Sequence, residues 1–129
     1  MTYEQSAVQL FHKEFGIGIA ETPCIPSKQE CTLRIALIDE ELQELANAFE
    51  ANDMVGVADG LGDLLYVVLG CAVTCGIDLE TIFHEVHRSN MTKRGGHKAE
   101  NGKWIKPSTY NPPVLLPILE RQGYNGTKA

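Results

Sequence analysis

The stretch LRIALIDEELQELANAF, residues 33–49, decides the fold that we expect for this chain. Its apolar residues recur every three or four positions, which is the spacing of one face of a helix. Glu41 and Glu44 share the stripe that runs from Leu37 to Ala48, so two carboxylates lie on a face that otherwise looks inward. Burying several anions is costly unless a cation neutralises them, and such clusters suit magnesium or manganese. The alternative is a solvated acidic face.

The same periodicity extends on both sides of this stretch. It predicts helices over residues 3–14, 29–51, 54–75 and 79–90. Ser27, Asp53 and Asp78 are suitable N-caps, while Gly16 and Gly76 follow the last periodic residues of two helices. Four helices with short links predict an all-α, antiparallel four-helix bundle.

A second acidic pair, Asp59 and Asp63, lies one helical turn apart in the next helix. That helix also contains the glycines Gly56, Gly60, Gly62 and Gly70. Each interior glycine costs about 1 kcal/mol relative to alanine, so we expect a compensation such as close helix approach. Close approach would bring the two acidic faces together. Ordinary packing with two exposed aspartates is the alternative.

Charge is segregated along the chain. Residues 1–90 carry 15 acids and 4 bases, a net charge of −11, whereas residues 91–129 carry 7 bases and 2 acids, a net charge of +5. An acidic body disfavours nucleic-acid binding, while a basic tail can hold a small phosphorylated ligand. We expect this tail to be irregular, with a glycine-rich loop and a short extended pair. A last short helix is predicted from Pro112 and Pro113 through Glu120, interrupted at Pro117.

Length and composition predict a single domain over residues 1–129. No uninterrupted apolar run in the sequence reaches the roughly 20 residues of a bilayer span, and the N-terminus does not resemble a signal peptide. We therefore expect a cytoplasmic protein without a membrane partner. The cysteines lack the CxxC spacing of a zinc ribbon and are interpreted as reduced thiols; they are Cys24, Cys31, Cys71 and Cys75.

The acidic motifs resemble those of the all-α nucleoside triphosphate pyrophosphatase superfamily, the MazG-like and phosphoribosyl-ATP pyrophosphatase group, over about residues 5–115. Glu40, Glu41 and Glu44 match the EExxE motif of that superfamily, and Asp63 matches the aspartate of its ExxD motif. Residues 85–93 and 102–107 resemble the C-terminal signature of the short branch that includes dimeric dUTPase-like and phage-type enzymes.

The resemblance implies hydrolysis of a nucleotide between its α and β phosphates. It also implies that the reaction depends on Mg²⁺, with Mn²⁺ as the alternative ion, and that each site holds two or more ions. It implies that Glu41, Glu44 and Asp63 are metal ligands. The ExxD glutamate is absent at Gly60, and Asp59 is the nearest replacement. Glu40 is expected to hold another ion or to accept the proton of the attacking water.

The basic tail supplies candidates for substrate binding. We expect Lys93 and Lys106 to contact phosphates, with Asn90 and Tyr110 as hydrogen-bond donors. Phe15 and Trp104 are candidates to sandwich a large base, which favours a purine deoxynucleotide such as dGTP, while the alternative role for Trp104 is to anchor the tail. The alternatives are a dUTP or dUDP hydrolase of the same fold and a catalytically weakened nucleotide or metal binder, which the missing glutamate would explain.

The helix over residues 54–75 is apolar nearly all round, so it needs more cover than three neighbouring helices supply. We therefore expect a homodimer or a tetramer. His12 is interpreted mainly as a packing residue, with a place at the border of a base pocket as the alternative. His84 and His87 are interpreted mainly as structural histidines, with metal binding as the alternative.

Overall fold

The computed structural model describes residues 1–126, and long helices dominate this part of the chain. The helices are α1 (Tyr3–Phe15), α2 (Lys28–Glu50), α3 (Met54–Cys75), α4 (Leu79–Met91) and α5 (Leu116–Arg121). Strands β1 (His97–Lys98) and β2 (Trp104–Ile105) form a small antiparallel pair. The predicted all-α class with four long helices is confirmed, with each helix boundary within one residue of its expected position.

Side-chain caps and glycine stops set the limits of these helices. Ser27 Oγ accepts a hydrogen bond from the Glu30 amide at 3.1 Å, and Asp53 Oδ1 accepts one from the Gly56 amide at 3.0 Å. Gly76 ends α3 in the left-handed region with a φ of 70°. The connection between α2 and α3 is short, so the two helices run antiparallel and lie side by side.

Helix α3 is the centre of the fold, since it packs against both α2 and α1. A Cβ added at Gly60 would lie 3.1 Å from Leu45 Cα, and one added at Gly56 would lie 3.1 Å from Ala48 Cβ. Glycine at these positions lets α2 approach α3 closely, as the sequence predicts. Gly62 has no such role, because an added Cβ there would meet nothing within 4 Å.

The bundle buries little apolar surface within one chain. Its buried core consists of Val8, Leu69 and Val73, with Leu79 packed against them. Helix α4 lies outside the closely packed helices α1, α2 and α3. Leu61 and Leu65 on α3 are each 52% exposed, and Phe83 on α4 is 69% exposed. The apolar surface of α3 therefore extends well beyond what this chain covers.

Helix α3 is also long and apolar enough to cross a membrane, with 22 residues. This corrects the expectation that no segment of the chain reaches that length. The helix contacts α1 and α2 and carries Asp59 and Asp63, as an amphipathic helix of a folded bundle does. Its composition is therefore weak evidence for a membrane span.

The segment before α5 differs from the sequence-based prediction. Helix α5 begins at Leu116 and not at Pro112, because the preceding residues are held extended against α4. The Val114 amide donates a hydrogen bond to Glu85 Oε2 at 2.7 Å, which fixes this segment. Pro117 lies in the first turn of α5, where its missing N–H costs no helical hydrogen bond, so it does not interrupt the helix.

Candidate active site

Three carboxylates meet where α2 faces α3. Glu41 and Glu44 lie one turn apart on α2, and Asp63 lies opposite them on α3. One ligand oxygen from each lies within 4.8 Å of the other two. We call these residues the acidic triad. Because Gly60 holds α3 against the backbone of α2 at Leu45, the two helices bring the carboxylates together.

The acidic triad has the electrostatic signature of a cation site. Burial raises the pKa of Glu41, and the charges of Glu44 and Asp63 raise it further, with a smaller contribution from Glu40. Glu41 Oε2 is buried and has no hydrogen-bond partner among residues 1–126. A buried acceptor without a donor is costly, and a cation would satisfy it. The residues present therefore fit a divalent ion with oxygen ligands.

The other two predicted ligands lie outside the acidic triad. Glu40 is exposed on the neighbouring side of α2. Asp59 is also exposed and lines a shallow depression of about 320 Å³ together with Glu44 and Gly60. Asp59 is thus a neighbour of Glu44, but it is not grouped with Asp63.

A cavity of about 260 Å³ adjoins the acidic triad between α1, α2 and α3. Glu41 and Asp63 form part of its wall, and the rest is mainly apolar and aromatic. The other lining residues are Phe11, His12, Ile17, Arg34, Leu37, Tyr66, Val67 and Gly70. The rings of Phe11 and Tyr66 meet edge to face with their centroids 5.6 Å apart. A mostly apolar cavity with a few convergent polar groups is typical of a small-molecule site.

The expected sandwich of Phe15 and Trp104 is not found in the described chain. Phe15 packs on Phe11, with ring centroids 4.5 Å apart, but it is 69% exposed and is not part of the cavity wall. It is the last residue of α1, so its ring extends past the end of the cavity. Phe11 and Tyr66 take the aromatic role there, and Tyr66 follows Asp63 by three positions, a helical spacing that signals the shared face.

The predicted tail residues form a second group of their own. Lys93 and Lys106 each place Nζ over the ring of Tyr110, at 5.6 and 4.6 Å from its centroid. The Trp104 indole donates a hydrogen bond to the Lys93 carbonyl at 2.8 Å. Asn90, Lys93 and Trp104 also line a depression of about 260 Å³. The structure therefore groups these residues with one another and not with the acidic triad.

A hydrogen-bond network that the sequence did not reveal fastens this tail to α4. The Arg88 guanidinium donates to both carboxylate oxygens of Glu85, at 2.7 and 2.9 Å, and to Asn111 Oδ1 at 3.1 Å. The fully buried Ser89 hydroxyl donates to the Asn111 carbonyl at 2.7 Å. Arg88 and the Val114 amide lower the pKa of Glu85 to about 2. These residues determine where the tail lysines lie.

The helical fold and the acidic triad between α2 and α3 place the chain among the all-α pyrophosphatases. Within that class, it belongs to the family described as phosphoribosyl-ATP pyrophosphohydrolase, whose sequence model matches residues 8–90. This family is part of the MazG-like all-α nucleoside triphosphate pyrophosphatase superfamily. The family match ends at the C-terminal end of α4, so it includes the acidic triad and leaves out most of the basic tail.

A shorter similarity connects the chain to a viral protein. Over 52 residues it is 42% identical to "Uncharacterized protein L479" of Acanthamoeba polyphaga mimivirus. The matched stretch covers 40% of this chain and 21% of the viral protein, so the chain spans about a fifth of that relative's length.

Proposed function

We propose that this protein hydrolyses a nucleoside or deoxynucleoside triphosphate between the α and β phosphates, giving a nucleoside monophosphate and pyrophosphate. The family match supports a pyrophosphohydrolase activity. The observation that carries the proposal is the buried, unpartnered Oε2 of Glu41 within a group of three carboxylates, since this atom calls for a cation. Magnesium is the expected ion, manganese is the possible replacement, and two or more ions are expected per site.

The residues have distinct roles in this reaction. Glu41, Glu44 and Asp63 would hold the ion, which polarises phosphate oxygens and lowers the pKa of water when it is bound. Water attacks the α phosphorus, the bond from that phosphorus to the bridging oxygen breaks, and pyrophosphate leaves. Glu40, exposed beside Glu41, accepts the proton of the water, and its position in solvent suits this exchange. Lys93 and Lys106 neutralise the leaving pyrophosphate.

We also propose that the active form is a homodimer or a tetramer. The acidic triad and the tail lysines are grouped in separate parts of one chain, yet both are needed for a triphosphate. A second chain packed on the exposed apolar surface of α3 would cover that surface and bring its own tail towards the acidic triad. The substrate would then lie between two chains. We expect this enzyme in the cytoplasm, where it would act in nucleotide-pool control.

The substrate that we favour is a purine deoxynucleotide such as dGTP, because the cavity beside the acidic triad has aromatic walls at Phe11 and Tyr66. A dUTP or dUDP hydrolase is the second candidate. A weakened nucleotide or metal binder is the third, and the replacement of the ExxD glutamate by Gly60 favours it.

The test is pyrophosphate release from dGTP, dATP, dUTP and dCTP, measured with magnesium, with manganese and with a chelator. We expect turnover that depends on the metal and is fastest with a purine substrate. Binding of nucleotides without turnover of any of them would support the weakened binder, and fastest turnover of dUTP would support the second candidate.

A further inference from the structure

Arg34 is a buried cation whose hydrogen-bonding capacity is unused. The residue is 6% exposed and lies on α2, two helical turns before Glu41. Glu30 Oε1 lies 3.2 Å from Arg34 Nε and balances its charge, but neither atom has a hydrogen-bond partner among residues 1–126. The terminal nitrogens of the guanidinium also make no hydrogen bond within this described part of the chain. Of the guanidinium nitrogens only Nε is fully buried, so the terminal donors are accessible to a ligand that could accept from them.

These free donors belong to the wall of the cavity beside the acidic triad. Gly70 lets the side chains of Arg34 and His12 pack directly against the backbone of α3. A Cβ added at Gly70 would lie 3.4 Å from Arg34 Nη1 and 3.1 Å from His12 Nε2. The two nitrogens therefore approach the same point from two helices, at a place where α3 has no side chain.

His12 contributes the opposite hydrogen-bonding character. Its Nδ1 lies 3.1 Å from the Gly18 carbonyl oxygen, and because a carbonyl can only accept, Nδ1 carries the proton. Burial lowers the pKa of His12 by more than the hydrogen bond to Gly18 raises it, and the positive charge of Arg34 also lowers it, which favours the neutral ring at neutral pH. Nε2 is then an acceptor. The wall presents donors from Arg34 beside an acceptor from His12.

We propose that Arg34 and His12 read the base of the substrate and that the cavity selects a 6-oxopurine, a base of the guanine or hypoxanthine type. This inference rests on the proposed function. The fork of an arginine donates two parallel hydrogen bonds to O6 and N7 of such a base. Its N1–H is a donor next to O6 and pairs with His12 Nε2. An adenine presents an amino donor in place of O6, so it would oppose the donors of Arg34.

The position of the acidic triad agrees with this assignment. Arg34 and Glu41 are seven residues apart on α2, which separates them by about 10 Å along the helix axis. That is about the length of a nucleoside from the edge of its base to its first phosphate. A nucleotide with its phosphates at Glu41 and Asp63 would place its base beside Arg34, against the aromatic wall that Phe11 and Tyr66 form.

The experiment compares kcat/KM for dGTP, dITP, dATP and dUTP in the wild-type protein and four variants. Arg34→Lys keeps the positive charge but removes the two parallel donors of the guanidinium. Lys28→Gln is the control, because it changes an exposed basic residue on the same helix. Gly70→Ala adds a methyl group that crowds Arg34 Nη1 and His12 Nε2 and displaces them, and Gly62→Ala is its matched control, since position 62 faces open space. We expect wild-type protein to prefer dGTP and dITP. Arg34→Lys should lower kcat/KM for these two by at least about tenfold and leave dATP within about twofold.

Gly70→Ala should lower kcat/KM for dGTP by at least about tenfold. In Gly62→Ala and Lys28→Gln, kcat/KM should stay within about twofold of the wild-type value. Equal losses for all four substrates in Arg34→Lys would show a phosphate contact and overturn the inference. A wild-type preference for dATP or dUTP would overturn it as well. If Arg34→Lys does not fold, the pair of glycine variants decides, because Gly70→Ala retains both polar side chains.

Calorimetric binding of dGMP and dAMP separates this inference from the proposed function. The wild-type protein could prefer dGMP, lose that preference in Arg34→Lys and show no turnover. This result would support base recognition by Arg34 and His12 and contradict the proposed hydrolysis. Metal-dependent turnover without any preference between dGMP and dAMP would support hydrolysis and overturn the wall.

Discussion

The acidic half of the molecule and its basic tail are positioned by different forces. The acidic triad lies between two long helices whose separation Gly60 and Leu45 determine, so it depends on packing within the chain. The basic group around Tyr110 depends on hydrogen bonds from α4 to an extended segment, and its two lysines meet one aromatic ring. Helix packing holds the carboxylates of the acidic triad together although they repel one another, whereas a few hydrogen bonds are enough to position the solvated tail. The proposed metal ligands and the proposed phosphate-binding lysines are therefore positioned by different interactions.

The largest expected effect comes from removing one charge of the acidic triad. Glu41→Gln should lower metal-dependent turnover by about a hundredfold or more, because an anionic ligand is lost while the shape is kept. The melting temperature without metal should rise, since the burial of a charge and the repulsion from Glu44 and Asp63, which together raise the pKa of Glu41, no longer oppose folding. The gain in melting temperature on adding magnesium should be lost. Pyrophosphate release measures the turnover, and thermal melts with and without magnesium measure the other two quantities.

Glu50→Gln is the control for this variant, because Glu50 is exposed at the C-terminal end of the same helix. Unchanged magnesium binding and turnover in both Glu41→Gln and Glu44→Gln would sink the metal assignment.

The second prediction tests whether the acidic triad of one chain and the basic tail of another form one site. Glu41→Gln and Lys93→Ala should each have little activity, and mixing them should restore part of it. A mixed dimer would contain one site with an intact acidic triad and an intact tail. Activity after mixing and light scattering at micromolar concentration are the measurements. A monomer together with no recovery on mixing would defeat the proposal of a shared site.

The third prediction compares two aspartates of α3. If Asp59 replaces the missing glutamate, Asp59→Asn should reduce activity nearly as much as Asp63→Asn. Since only Asp63 belongs to the acidic triad, we now expect the larger loss in Asp63→Asn and a smaller one in Asp59→Asn. The kinetic comparison at saturating magnesium decides between them, and equal losses would show that Asp59 replaces the missing glutamate.

The smallest effect is expected in the hydrogen bonds of Arg88 and Glu85, which hold the tail on α4, and this effect depends on pH. The pKa of Glu85 is lowered from 4.5 to about 2, chiefly by its hydrogen bonds from Arg88, so its carboxylate stabilises the folded state above pH 4.5. That contribution is lost as the pH falls through about 2. The melting temperature of Glu85→Gln should therefore be lower than that of wild type at neutral pH, and the difference should shrink between pH 4.5 and 2.

Glu100→Gln, in the exposed connection between β1 and β2, is the control for this variant and should melt like wild type at every pH. A difference between Glu85→Gln and wild type that stays constant down to pH 2 would contradict the role assigned to the carboxylate.

Local patterns were sufficient to predict the helices and the acidic triad. Caps such as Ser27 and Asp53 act on residues three positions away, and the spacing of Glu41 and Glu44 is a property of one helix. The same kind of pattern contains Arg34, which precedes Glu41 by seven positions on the same face, although we did not interpret it as part of the site.

Long-range contacts could not be predicted in this way. The bond from Ser89 to Asn111 joins residues 22 positions apart, and no periodicity relates an irregular segment to a helix. The position of Phe15 is a related case. Its spacing from Phe11 predicts a shared face, but only the end point of α1 decides that the ring extends past the cavity.

The contact between Gly60 and Leu45 also restricts how this site can change. The crowding involves the backbone of α2 as well as a side chain, since an added Cβ would lie 3.1 Å from Leu45 Cα. Restoring a glutamate at position 60 would therefore push α3 away from α2 at a cost of about 1–3 kcal/mol, and would separate the ligands it was meant to join. A fourth carboxylate and a narrow gap between the helices exclude each other at this position. An evolutionary route to the glutamate has to begin with a new helix spacing, and no single substitution provides that.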